Sequence, residues 1–256
     1  VPARTFCELL IYKTRANLRS EVSRYYLAYI WWVLNPLFSM GILYVVFGIF
    51  MGGRREHFGL FLLLGITQWN WFASTVQNAA GSIFNAGGLM RQMHILKVFF
   101  PLEVFLQDTF KHCFVLCLLA VFLFFYPVPF AVSWLAAPIF IIVQGLFVLA
   151  VSVVCAALVP FLPDFKFILA SLIQALFFVS GIFFSVETFI LPEHRPFLYA
   201  NPMAGIIREH RRIFLEGQWP DWIYLAYVVL ASGVILALGL VLIRRCDGLY
   251  PRLCQE

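Results

Sequence analysis

Apolar residues run along this chain in six long stretches, Trp31–Met51, Phe58–Ala80, Phe110–Tyr126, Val132–Val159, Phe165–Ser185 and Trp222–Ile243, with short polar intervals between them. A helix crossing a hydrocarbon core of ~30 Å needs about 20 apolar residues at 1.5 Å each. Every stretch reaches or approaches that length, so the pattern predicts an all-α integral membrane protein of six transmembrane helices. Residues 1–30 follow a different pattern. Phe6, Leu9, Leu10, Leu18 and Val22 recur among Lys and Arg, and Thr5 and Glu8 stand at capping-box spacing. This segment reads as an amphipathic interface helix, either an anchor on anionic headgroups or a docking surface for a soluble partner. It lacks the layout of a cleavable signal peptide. The expected organisation is a single domain over 1–256: the interface helix to residue 30, a bundle over 31–243, and a tail over 244–256.

Ahead of the last span, Asn201 and Pro202 have the form of a helix start, an Asn cap followed by Pro in the first turn. Met203, Ile206, Ile207, Ile213 and Phe214 then share one stripe, while Arg208, Glu209, Arg211, Arg212 and Glu216 fall mostly opposite. The pattern predicts an amphipathic helix at the outer membrane surface. Its charged face is either simply solvated or guides an anionic substrate through Arg208, Arg211 and Arg212.

Composition agrees with the membrane assignment: 62% of residues are hydrophobic and only 12% charged, against roughly a quarter charged in soluble domains. Charge then sets orientation. With six spans, Arg4, Lys13, Arg15, Arg19, Arg24, Arg91, Lys97, Lys111, Lys166, Arg244, Arg245 and Arg252 share a side. Arg54, Arg55, Arg195, Arg208, Arg211 and Arg212 share the other. The excess places both termini in the cytoplasm. None of the cysteines, Cys7, Cys113, Cys117, Cys155, Cys246 and Cys254, falls in an exterior loop, so no disulfide framework is expected.

The chain's second loop, Ser82–Pro101, lies on that cytoplasmic side and is unusually apolar. Leu89, Met90, Ile95 and Leu96 stand beside Arg91 and Lys97. Asn85 can cap a short helix, Gly87-Gly88 permits a bend, and Pro101 opens the next helix. Such a surface calls for a cover, which is either the membrane or another protein.

Catalytic signatures are missing. The chain has no G-x-x-x-x-G-K-[ST], G-x-S-x-G, H-E-x-x-H or C-x-x-C, and its five histidines are scattered. No catalytic and no metal site is expected. Asp108 and Lys111 read as a local ion pair near the interface, and deeper acids for an ion-coupled pump are lacking. The second span carries Gln68, Trp69, Asn70, Trp71, Gln77 and Asn78. Amides in hydrocarbon must face a bundle interior or a wet path. With aromatic rings they suit a sugar, and they suit interhelical hydrogen bonding equally well.

Three motifs then carry a family resemblance. Arg24-Tyr25-Tyr26-Leu27-Ala28-Tyr29-Ile30-Trp31-Trp32-Val33-Leu34-Asn35-Pro36 resembles the opening signature of the permease subunits of polysaccharide-export ABC transporters, of the O-antigen, teichoic-acid and capsule type. Leu96-Lys97-Val98-Phe99-Phe100-Pro101-Leu102-Glu103 resembles their second-loop motif, and Asn201-Pro202-Met203-Ala204-Gly205-Ile206-Ile207-Arg208 with Arg211 their exterior motif. Tyr25-Tyr26 departs from the small residue common in relatives. The resemblance implies a homodimer in the bacterial inner membrane, without an ATPase of its own, served by two copies of a separate ABC ATPase that bind ATP and Mg. The cargo would be a lipid-linked polysaccharide; no nucleic acid is implied. Asn85, Leu89, Arg91 and Lys97 would then belong to the ATPase-coupling surface. Trp31, Trp69, Trp71, Phe177 and Phe178 would be sugar-stacking rungs of the channel, unless they are ordinary packing residues. Two rivals remain: an ABC permease exporting drugs or small lipids, and a membrane-embedded enzyme such as an acyltransferase, for which no buried catalytic constellation is visible.

Overall fold

The computed structural model describes residues 3–24, 28–52, 56–92, 95–128 and 130–254. Within them the chain is helical, and no strand is present among the described residues. In chain order the helices are α1 (Ala3–Arg24), α2 (Ala28–Leu43), α3 (Phe58–Ala80), α4 (Ser82–Asn85), α5 (Gly87–Gln92), α6 (Phe99–Phe125), α7 (Ala137–Leu158), α8 (Phe165–Val179), α9 (Val186–Phe189), α10 (Arg195–Tyr199), α11 (Pro202–Phe214), α12 (Trp222–Arg245) and α13 (Tyr250–Leu253). Tyr44–Phe50 continues α2 as a π-helix, and a 3₁₀ turn over Val132–Ala136 leads into α7.

Four of these segments are long and apolar enough to cross a membrane: Tyr29–Phe50, Phe99–Phe125, Val132–Leu158 and Trp222–Arg245. α8 is apolar but shorter. The expected all-α membrane fold is present; of the six expected spans four meet this measure and those of α3 and α8 do not. Although α3 has 23 residues, its amides make it more polar than its neighbours. It can be so because it is the central helix, packed against α2, α6, α7, α8 and α11, with nearly its whole first half buried. A helix wrapped in protein need not be apolar all round.

The structure moves several expected boundaries. The third span starts at Phe99, a full three turns before Phe110, so Pro101 sits in its first turn and Asp108 and Lys111 lie well inside the helix. The fifth apolar helix stops at Val179, and Ser180–Phe184 is a turn with Gly181 at positive φ. Thr5 is an interior residue of α1 rather than a cap; Arg4 and Glu8 pair at 3.0 Å instead, one helical turn apart. Tyr25 and Tyr26, the departure from the family pattern, lie outside the described residues, as do Arg54 and Arg55.

At the end of the bundle carrying α1, one apolar cluster joins Leu10 and Phe6 of α1, Ile83 and Met90 of the second loop, Phe99 and Phe100 of α6, Ile243 of α12 and Tyr250 of the tail. The opposite end is closed by α11, which packs on α3, α7 and the 3₁₀ turn. Two helices stay largely uncovered. α2 has almost no buried residue along its span, and α8 buries only Leu169 and Ile173.

Candidate functional site

A cavity of about 690 Å³ opens between α2, α3 and α6. Its walls mix aromatic rings, amides and charged groups. α2 contributes Trp31, Trp32, Asn35 and Pro36, α3 contributes Asn70, Trp71, Ser74, Gln77 and Asn78, and α6 contributes Asp108, Lys111 and His112. Helical periodicity produces this stripe: positions 70, 74, 77 and 78 share one face of α3. Pro36 sits inside α2 and removes one backbone donor, which loosens the helix beside the cavity.

Charges in the cavity are compensated. Lys111 Nζ lies 2.8 Å from Glu21 of α1 and 3.5 Å from Asp108, and over the Trp32 ring at 5.7 Å. Asn78 Nδ2 donates to Asp108 at 2.9 Å. The pair expected at the interface is therefore a three-element network holding α1, α3 and α6 together. His112 stacks flat on Trp71, ring centroids 4.4 Å apart and planes 9° from parallel. The buried Trp71 Nε1 and His112 Nε2 have no hydrogen-bond partner among the described residues. Buried polar atoms are ordinarily satisfied, so this pair can bond a polar ligand or water.

The proposed channel aromatics separate into two groups. Trp31, half exposed and stacked on Phe38, and Trp71 both line the cavity. Trp69 points the other way, buried against Phe72 and edge-on to Phe177 at 5.9 Å. Phe177 in turn touches Phe178, which is exposed on α8. The amides divide likewise. Asn70, Gln77 and Asn78 face the cavity, whereas Gln68 is buried in the core, where its backbone carbonyl accepts from the Gln144 side chain of α7 at 3.0 Å and its own amide has no partner among the described residues.

At the α1 end, the apolar loop is covered largely by the chain itself. Tyr250 is fully buried, donates from its hydroxyl to Ala157 O at 3.2 Å, and packs edge-on to Phe161. Lys97 is buried and pairs with Asp247 at 3.1 Å. A Cβ on Gly87 would lie 2.6 Å from the Cys254 carbonyl oxygen. The expected role of the glycine pair thus changes. Neither Gly87 nor Gly88 has positive φ; Gly87 is needed for the close approach of the tail. Asn85 ends α4 and is exposed, Leu89 is half-buried, and Leu96 is exposed. The Arg91 side chain lies outside the described residues.

At the opposite end, Asn201 caps α11 as expected, its side chain accepting from Met203 N at 3.1 Å. The three arginines differ. Arg211 is buried and donates to Phe61 O, Gly181 O and Ile182 O, with Phe61's ring against its guanidinium. Arg208 and Arg212 both pair with the fully buried Glu209, at 2.6 and 3.3 Å. Burial works against the Arg208 charge, but Glu209 and Tyr199 together outweigh it and hold the guanidinium pKa above its ordinary value. Arg208 and Arg212 border a pocket of about 470 Å³ with Tyr199 and Glu187, so those two remain at an accessible surface. His210 is buried between Phe140 and Phe214, while His194 is exposed on its own turn. No group of three or more metal-ligating side chains is found among the described residues.

Sequence reasoning missed the tail's contribution and the Glu209 hub. The tail leaves no pattern in the sequence, since its contacts join distant segments; Glu209 has a local signal, Arg208 beside it and Arg212 at i+3 on the same helix.

No protein-family model matches the chain. Among curated proteins it is 24% identical over 240 residues to the O-antigen export system permease protein RfbA of Klebsiella pneumoniae, covering 93% of this chain and 92% of that one. It is 24% identical over 229 residues to the protein of the same name from Myxococcus xanthus, covering 89% and 88%. It is 24% identical over 241 residues to the polysialic acid transport protein KpsM of Escherichia coli, covering 89% of each. The similarity thus extends over about nine-tenths of the chain, and its relatives are permease and transport proteins of the family that the three sequence motifs resemble.

Proposed function

We propose that this chain is the membrane-spanning subunit of an ATP-driven exporter that moves a lipid-linked, O-antigen-like polysaccharide from the cytoplasm across the bacterial inner membrane. The observation that carries the reading is its near-full-length similarity to O-antigen and polysialic-acid export proteins. Two copies of a separate ATPase, binding ATP and Mg, dock on the surface formed by α1 and the second loop. Two copies of the permease meet through the uncovered faces of α2 and α8, which an apolar partner helix suits. The cavity holding Trp31, Trp71, Asn70, Ser74 and Gln77 then lies beside the dimer axis. Rings that stack on sugar faces and amides that bond hydroxyls give a glycan many weak, equivalent contacts. That is what a chain needs in order to slide. Arg208 and Arg212, beside their pocket at the far end, meet the diphosphate of the lipid carrier.

The test is depletion in the native host, followed by localisation of lipid-linked polysaccharide. Build-up on the cytoplasmic leaflet with loss from the surface is the expected result. Normal surface glycan would overturn the substrate assignment and favour an exporter of drugs or small lipids.

A further inference from the structure

A second groove, of about 500 Å³, lies between α1, the start of the first span and α6, on the side of α1 away from its contacts with the loop. Its volume is in the range of small-molecule sites. Ile11, Leu18, Leu106 and Phe110 give it an apolar floor and walls. Arg15 and Arg19, one helical turn apart, stand along it, and neither has an ion-pair or hydrogen-bond partner among the described residues. Glu21, an acid close by on α1, is already held by Lys111 and the Trp32 indole. The groove therefore carries two uncompensated positive charges. Thr14 also lines it; the side chain is buried, and its hydroxyl lacks a partner among the described residues. Tyr29 and Trp32, at the start of the span Tyr29–Phe50, complete the rim. Amphipathic aromatic rings at that level mark the boundary between headgroups and acyl chains.

We infer that this groove is a binding seat for one anionic phospholipid of the leaflet on which α1 lies. An acyl chain occupies the apolar walls, the phosphate meets Arg15 and Arg19, and the Thr14 hydroxyl donates to an ester or phosphate oxygen. A zwitterionic lipid fits the same walls, but its amine offsets the attraction. The seat goes beyond a general affinity of a basic helix for a charged surface, because a concave apolar wall and a buried hydroxyl select a single molecule. The lipid would wedge α1 against α2 and α6, fixing the angle of a helix otherwise attached by one face.

The test uses the full-length protein in mild detergent, titrated with phosphatidylglycerol or phosphatidylethanolamine and read by native mass spectrometry. One phosphatidylglycerol should be retained in preference to phosphatidylethanolamine. Each arginine near an anionic lipid is worth about fivefold in affinity, so Arg15→Gln with Arg19→Gln should abolish the preference. Leu18→Trp, which fills the groove and keeps both charges, should lower retention of either lipid. Equal retention of the two lipids, a preference untouched by the double substitution, or a co-purified polyprenyl phosphate in place of the phospholipid would each overturn the proposal. The readout needs neither ATP nor glycan, so its failure is separate from that of the export reading.

Discussion

Arg211 donates to the backbone carbonyl of Phe61 from two of its nitrogens, Nε at 3.2 Å and Nη2 at 3.1 Å, across 150 residues of sequence. Nη2 and Nη1 also reach the carbonyls of Ile182 and Gly181 at 2.7 Å each. One side chain thereby ties α11, α3 and the turn after α8. Space for it comes from Gly65, where a Cβ would stand 2.6 Å from Nη2. Hydrogen bonds to charged groups contribute about 1.5–3 kcal/mol each. Arg211→Met should therefore lower the melting temperature of the detergent-solubilised protein by the equivalent of about 3 kcal/mol or more. Gly65→Ala should reproduce much of that loss, and the double variant should lose clearly less than the sum of the two. Additive losses would show that Gly65 is not making room for Arg211.

Arg208 and Arg212 call for a different design. Removing both leaves the buried Glu209 carboxyl without a cation, a loss of about 3–5 kcal/mol by analogy with other buried pairs. Among the described residues, the Asp221 backbone N–H, at 2.9 Å, would still bond it. Arg208→Gln with Arg212→Gln should therefore reduce membrane abundance. Adding Glu209→Gln should restore abundance while export stays impaired, if these arginines meet the anionic end of the cargo. Restored abundance together with normal export would remove that role.

His210 gives a pH signature. It lies on α11, outside the candidate spans, and burial lowers its pKa to about 4 even though a bond to Ile206 O works the other way. The folded protein keeps this ring neutral while the unfolded chain protonates it near the ordinary value of about 6.5. Stability is thus fully present above about 6.5 and lost as pH falls towards 4, by roughly 3 kcal/mol at one pKa unit per 1.36 kcal/mol. Melting curves across that window should show the loss, and His210→Phe should flatten it.

The tail is open to a similar test. Tyr250→Phe removes one hydrogen bond and should cost about 1 kcal/mol; Tyr250→Ala empties a fully buried aromatic site and should cost about 3–5 kcal/mol. Lys97→Met, which leaves Asp247 half exposed, should disturb stability little but weaken the hold on the loop. Faster proteolysis around residues 85–97 in Lys97→Met, at an unchanged melting temperature, is the expected readout.

The sequence revealed the class of fold because burial in lipid writes itself as long apolar runs. Pro101 marks the opening of α6, but the apolar stretch begins only at Phe110, because Glu103 and Asp108 interrupt the run ahead of it and Lys111 and His112 follow in its first turn. Their partners come from elsewhere: Lys13 and Asn17 of α1 for Glu103, Asn78 of α3 for Asp108, and the Trp71 ring for His112. Polar residues satisfied by distant partners look, in one dimension, like a helix that has not yet begun. The stripe on α11 misled for the opposite reason. Its polar side reads as a free face, but α3 and the turn after α8 stand against part of it and convert Arg211 from a surface charge to a brace. Trp31 and Trp71 share a cavity and Trp69 does not because 69 and 71 project from different sides of one helix, a distinction that periodicity alone does supply.

Tyr250 reaches the second loop only after the last span has been made, for the loop precedes it by some 150 residues in order of synthesis. Until then Ile83 and Met90 lack part of their cover. The face offered by the second loop is accordingly assembled late, so a partner that binds it finds its surface complete only on a permease whose final helix is already in place.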